Sequence, residues 1–142
     1  MRVLMTGGGT GGHVNPAIAI ADTIKAHIPD AEIAFVGTKR GIENKLVPAA
    51  GYELYHVDVR GFRRSLSPAN IRAAFLALVS PLAAKKIIKK FRPDVVIGTG
   101  GYVSWPLIVA ASKLGIPSVV HESNAVPGLA VRKLVPYVDK IF

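Results

Sequence analysis

Apolar runs of strand length alternate with helix-length segments along this whole sequence, and that alternation leaves few folds open. The runs are "VLM" near residue 4, "EIAFVG" at 32–37, "ELYHVDV" at 53–59, "DVVIG" at 94–98, "PSVVH" at 117–121 and "KIF" at the end. Between them, apolar residues recur at three- and four-residue spacing, as at Ile18, Ala21, Ile24 and Ile28, the period of a helix with one buried face. The strand-length runs are β-branched and nearly continuous, which marks strands buried on both sides. The expectation is an α/β doubly wound parallel sheet, Rossmann-like, in a single domain of 142 residues.

Composition narrows the function. No apolar run approaches the ~20 residues of a spanning helix; the longest weakly polar stretch, Ala73 to Ala84, carries Ser80 and Pro81. No signal peptide is visible, and the absence of cysteine excludes disulfides and a Cys-based metal site. A cytoplasmic protein is the economical expectation. The chain closes on an apolar run with no polar tail, so we expect the first domain of a longer protein, its C-terminal domain absent. Lys and Arg number 18 against nine acids. The resulting pI of 10.1 raises nucleic-acid binding, but no recognition motif supports it and no nucleic-acid partner is expected.

Between the first strand and the first helix lies Gly7-Gly8-Gly9-Thr10-Gly11-Gly12, a match to G-x-G-x-x-G in the context where that pattern has meaning. Glycine admits positive φ and lets N–H groups approach an anion, and the helix N-terminus offers more of them. One glycine would suffice for close packing; five in six positions favour phosphate or pyrophosphate contact. A P-loop needs Lys then Ser/Thr next, whereas His13 and Val14 follow. A dinucleotide fold wants an acid after the second strand; Lys39 and Arg40 stand there and would suit the 2′-phosphate of NADP. An NADP-binding oxidoreductase domain is therefore the alternative.

Two later loops weigh against it. "GTGGYVSWP" (Gly98 to Pro106) follows the fourth strand and "HESNAVPG" (His121 to Gly128) the fifth. With strand order 3-2-1-4-5, strands one and four adjoin at the switch point and their loops share one crevice. Three polar, glycine-bearing loops suit a bulky polyanionic or sugar substrate better than a lone dinucleotide. Together "GGGTGGHVNPA", "GTGGYVSWP" and "HESNAVPG" closely resemble the N-terminal domain of the MurG family, over all 142 residues. One departure is Ser123, where the family usually has glutamine.

The resemblance implies the acceptor half of a two-domain, inverting GT-B glycosyltransferase that needs no bound metal or cofactor. Such enzymes serve peptidoglycan synthesis by moving N-acetylglucosamine from UDP-N-acetylglucosamine to undecaprenyl-pyrophosphoryl-muramyl-pentapeptide. It implies donor contacts from Thr10, Gly11, Gly12 and Asn124. It also implies an acceptor pyrophosphate site at the glycine loops, with Gly9, Thr10, Gly11, His13, Gly100, Gly101 and Tyr102. A chain holding this half alone is expected to be inactive. No Asp-x-Asp stands at a strand end; Asp30 and Glu32 precede the second strand, at the opposite edge.

Inverting transfer needs a base for the acceptor hydroxyl. His13, at the helix start and of a residue type that titrates near neutrality, is one candidate; capping the loop or donating to phosphate is its competing role. Glu122 is the rival, with a structural reading as a loop-orienting acceptor. Tyr102 either stacks on the substrate or packs. His121 is expected to end a strand and pack, His27 and His56 to be ordinary surface or strand residues, and Pro16 to fall in the first helical turn.

Residues 59–93 hold nine of the 18 basic residues and no acid. Ile71, Phe75, Leu78 and Leu82 recur among them at helical spacing, followed by Lys85, Lys86 and Lys89. Excess apolar surface beside one-signed charge is expected of a helix lying on an anionic membrane surface. The family resemblance places it on the cytoplasmic face, as a peripheral protein.

Overall fold

The computed structural model describes residues 1–60 and 68–142; Arg63 and Arg64 of the basic segment lie outside the described residues. The order of elements is β1 (Arg2–Thr6), α1 (Gly11–His27), β2 (Glu32–Gly37), α2 (Glu43–Ala49), β3 (Glu53–His56), α3 (Pro68–Phe91), β4 (Val95–Gly98), α4 (Ser104–Lys113), β5 (Ser118–Val120), α5 (Leu129–Leu134), a 3-10 turn (Val135–Tyr137) and β6 (Lys140–Ile141). All neighbours pair in parallel, in the order β3-β2-β1-β4-β5-β6. The doubly wound sheet expected from the sequence is present, extended by β6 at the edge.

Helices cover both faces, as the continuous apolar strands require. Val3 and Met5 of β1 and Phe35 of β2 pack with Val14, Ala17 and Ala21 of α1 and Val47 of α2. Leu4, Val36, Val96 and Val120 face the other way, into a core shared with Ala84 and Ile88 of α3 and Leu107 and Ile108 of α4. Central β1 is fully enclosed at Val3, Leu4 and Met5. Its neighbours β2 and β4 end in register with it, Thr6 pairing with Val36 and Gly98. The loops after β1, β2 and β4 therefore leave the sheet side by side.

Three local features differ from the sequence expectation or add to it. β3 ends at His56 rather than residue 59, because its partner β2 ends at Gly37 and offers Val57 only that last carbonyl. Pro16 lies in the second turn of α1, not the first, since the helix already begins at Gly11; it withholds the N–H that Gly12's carbonyl would accept. In α3, Pro81 does the same to Ala77, and there the indole N–H of Trp105 on α4 donates to the freed carbonyl at 3.0 Å. No helix among the described residues is long and apolar enough to cross a membrane. Glu32 pairs with Arg2 at the N-terminal edge of the sheet, away from the glycine loops.

Candidate active site

The two glycine loops meet because β1 and β4 are neighbours, and they interlock through His13. The His13 ring places Nδ1 3.0 Å from the carbonyl oxygen of Thr99, and the Thr99 hydroxyl donates back to the His13 carbonyl at 2.6 Å. A carbonyl can only accept, so Nδ1 carries the proton, and the lone pair of a neutral ring sits on Nε2. No described residue bonds to Nε2. Thr99 is itself buried and tied to β1 by its N–H on the Thr6 carbonyl, 2.9 Å. The imidazole is thus held from the end of the fourth strand, 86 residues away in the chain.

The second loop's glycines have a packing reason besides any anion. Gly100 has φ +98°, and a Cβ there would lie 2.8 Å from His13 Nδ1. Gly101, at φ +77°, brings its backbone against the Gly8 carbonyl, where a Cβ has no room. Tyr102 lays its ring beside Gly9 of the first loop, 3.2 Å from where a Cβ would stand. Behind this loop the Ser104 hydroxyl donates to the Gly100 carbonyl at 2.8 Å.

In the first loop Thr10 caps α1 in extended conformation without a side-chain capping bond. The first helical bonds come from His13 and Val14, both to the Thr10 carbonyl. The N–H groups of Gly11 and Gly12 have no acceptor among the described residues. Unpaired donors at a helix N-terminus beside a titratable ring are what an anionic substrate undergoing acid–base chemistry requires.

Glu122 reaches this region from the loop after β5. Its Oε1 accepts the backbone N–H of Asn124 at 3.0 Å and the Asn124 side-chain N–H at 2.7 Å, and its Oε2 accepts the Gly128 N–H at 3.0 Å. Burial pushes the carboxyl up, but these hydrogen bonds and the nearby His13 outweigh it and hold Glu122 below its ordinary range. These bonds tie the carboxylate to its own loop and organise the turn from Asn124 to Gly128. Asn124 is exposed and engaged with Glu122 rather than with either glycine loop. His121 lies just beyond β5, which ends at Val120, rather than closing the strand; it is half-buried, its N–H donates to the Gly98 carbonyl at 2.8 Å, and its Nδ1 lacks a partner.

The other histidines stand apart: His27 bonds the Thr23 carbonyl one turn back, and His56 bonds Asn44. Lys39 and Arg40 are exposed beyond β2. Ile71, Phe75, Leu78 and Leu82 form an exposed stripe on α3, with relative exposures from 62% to 78%, and Lys85, Lys86 and Lys89 are exposed after it. Sequence reasoning missed two residues. Thr99 is hidden within a glycine-rich motif, and Glu43, fully buried at the start of α2, accepts the Gly9 N–H of the first loop.

Sheet order, paired loops at the β1/β4 switch point and a restrained histidine together define the Rossmann-like N-terminal domain of a GT-B glycosyltransferase. The chain belongs to the glycosyltransferase family 28 N-terminal domain family, whose model matches residues 3–142. It is 52% identical over 141 residues to the UDP-N-acetylglucosamine–N-acetylmuramyl-(pentapeptide) pyrophosphoryl-undecaprenol N-acetylglucosamine transferase of Lactococcus lactis subsp. cremoris. The transferase of the same name from Limosilactobacillus fermentum is also 52% identical. The match covers 99% of this chain but only 40% and 38% of those relatives. The crystal structure of Acinetobacter baumannii MurG superposes with a TM-score of 0.84 at 34% identity, over 99% of this chain and 40% of that one. The chain therefore spans about 40% of the length of the relatives it matches. Nothing in these comparisons supports the oxidoreductase alternative.

Proposed function

We propose that this domain forms the acceptor-binding half of an inverting transferase. The enzyme would move N-acetylglucosamine from UDP-N-acetylglucosamine to undecaprenyl-pyrophosphoryl-muramyl-pentapeptide. The carrying observation is the His13 ring, fixed by Thr99 with Nε2 open, beside the free N–H groups of Gly11 and Gly12. In the proposed step an acceptor hydroxyl attacks the anomeric carbon of the donor sugar. The bond to the nucleotide diphosphate breaks with its electron pair, and the hydroxyl proton passes to Nε2. The N–H groups hold diphosphate charge, and Tyr102 flanks them. Gly9, Thr10, Gly100 and Gly101 shape the acceptor pyrophosphate site, while Thr10, Gly11, Gly12 and Asn124 contact the donor when the enzyme closes. Glu122 acts by ordering the loop that carries Asn124. The α3 stripe and its lysines meet the membrane that holds the lipid-linked acceptor, on the cytoplasmic face.

The test is direct. The full-length protein is incubated with UDP-N-acetylglucosamine and a polyprenyl-pyrophosphoryl muramyl-peptide, and separately titrated with NADPH. Sugar transfer without NADPH binding is expected; NADPH binding without transfer would reverse the reading.

A further inference from the structure

Among the described residues Glu43 alone is a charged side chain with no exposed surface. A carboxylate taken out of water is costly unless donors surround it. Here Oε1 accepts the Thr38 N–H at 2.9 Å and the Thr38 hydroxyl at 2.8 Å, and Oε2 accepts the Gly9 N–H at 3.2 Å. Thr38 belongs to the turn after β2 and Gly9 to the loop after β1, so one side chain joins two loops. Three glycines make the room. A Cβ at Gly41 would overlap the carboxylate, one at Gly37 would lie 2.6 Å from Glu43 Cγ, and one at Gly8 would lie 2.9 Å from Oε1.

A loop built only to receive an external anion would keep all its N–H groups open. This one commits Gly9, at φ +84°, to an internal carboxylate, while Gly11 and Gly12 stay unpaired. We infer that Glu43 is a positioning residue for the first glycine loop: by holding the Gly9 N–H it sets the turn from which Gly11 and Gly12 present theirs to a diphosphate. The loop-setting role stands on the geometry; the identity of the diphosphate rests on the proposed function. Glutamine at 43 keeps the volume but has one oxygen for three donors, so its amide nitrogen must face an N–H.

The experiment follows amide exchange and kinetics in the full-length protein. In the wild type the Gly9 amide should exchange about ten-fold or more slower than those of Gly11 and Gly12. Glu43→Gln should bring Gly9 to their rate and leave Leu4 of β1 unchanged. The same variant should raise KM for UDP-N-acetylglucosamine, whose diphosphate the proposed function gives to Gly11 and Gly12, about ten-fold with a much smaller change in kcat. A purely structural role would instead lower the active fraction, hence kcat, at constant KM. Wild-type Gly9 exchanging as fast as Gly11 and Gly12 would overturn the inference, as would a folded Glu43→Gln protein with unchanged Gly9 exchange. If that variant does not fold, the wild-type comparison decides. If the wild type transfers no sugar, the proposed function fails and the exchange data still decide the role of Glu43.

Discussion

His13 and Thr99 restrain each other at two points, one through the ring and one through the helix backbone, so the ring's tautomer and place are set before substrate arrives. Preorganisation of this kind is what the proposed base role calls for. His13→Ala in the full-length protein should lower kcat ~10²–10⁴-fold, the range of general-base catalysis, with little change in acceptor binding. Steady-state kinetics checks it; a change confined to KM would make His13 a phosphate donor instead. The buried acid makes a second residue-scale prediction. Burial alone pushes Glu43 up, but the N–H of Thr38, its own N–H, the Thr38 hydroxyl and the Gly9 N–H hold it below its ordinary value of 4.5. A group whose folded pKa is depressed contributes stability above the unfolded value and loses it as pH falls through the folded one. Glu43→Gln should therefore cost stability at neutral pH, and the difference from wild type should shrink below about pH 4.5. Thermal melts at stepped pH would show this, and a constant difference would count against it.

At the scale of elements, α3 and α4 are joined by a hydrogen bond that a proline makes available. Pro81 leaves the Ala77 carbonyl without its helical partner, and Trp105 supplies one at 3.0 Å. Trp105→Phe keeps an aromatic ring against Tyr137 but removes the donor, and should destabilise by about 1–2 kcal/mol. In a Pro81→Ala background the helix N–H is restored, so the cost of Trp105→Phe should be smaller, a coupling that a double-mutant cycle of denaturation measures. Equal costs in both backgrounds would remove this role from Trp105. Elements of this kind were largely readable in the chain. β2 falls on the expected 32–37, read from a continuous β-branched run that each strand carries within itself, and the order through β5 is the one the doubly wound pattern supplies. Glu43 was not readable, because what identifies it is three glycines at 8, 37 and 41 converging in space. The packing reason for Gly100 and Gly101 was not readable either, because a one-dimensional pattern does not show a backbone making way for His13 and the Gly8 carbonyl. Pro16 was displaced by a turn because the glycines before it are already helical.

Over the whole molecule, charge and apolar surface are distributed unevenly, and the unevenness sits on α3. Ile71, Phe75, Leu78 and Leu82 are each more than 60% exposed, while the same helix buries Ala73, Ala84 and Ile88. A helix that packs one face properly and still leaves four large apolar side chains in water has a second surface to satisfy. Lys85, Lys86 and Lys89 follow this stripe within the same helix, and the 142-residue chain carries a net charge of +9. A helix on the face of an anionic bilayer would bury the stripe among acyl chains and keep the lysines at the headgroups. Each basic residue near such a surface contributes about 1 kcal/mol, screened as salt rises. The protein should therefore sediment with vesicles containing anionic lipid, weakly with neutral ones, and be released by salt. Phe75→Ser with Lys85→Glu and Lys86→Glu changes only exposed positions, so circular dichroism should be preserved while vesicle binding is lost. Equal binding by wild type and triple variant, or binding indifferent to salt, would leave the stripe to another partner and detach the proposed acceptor site from the membrane.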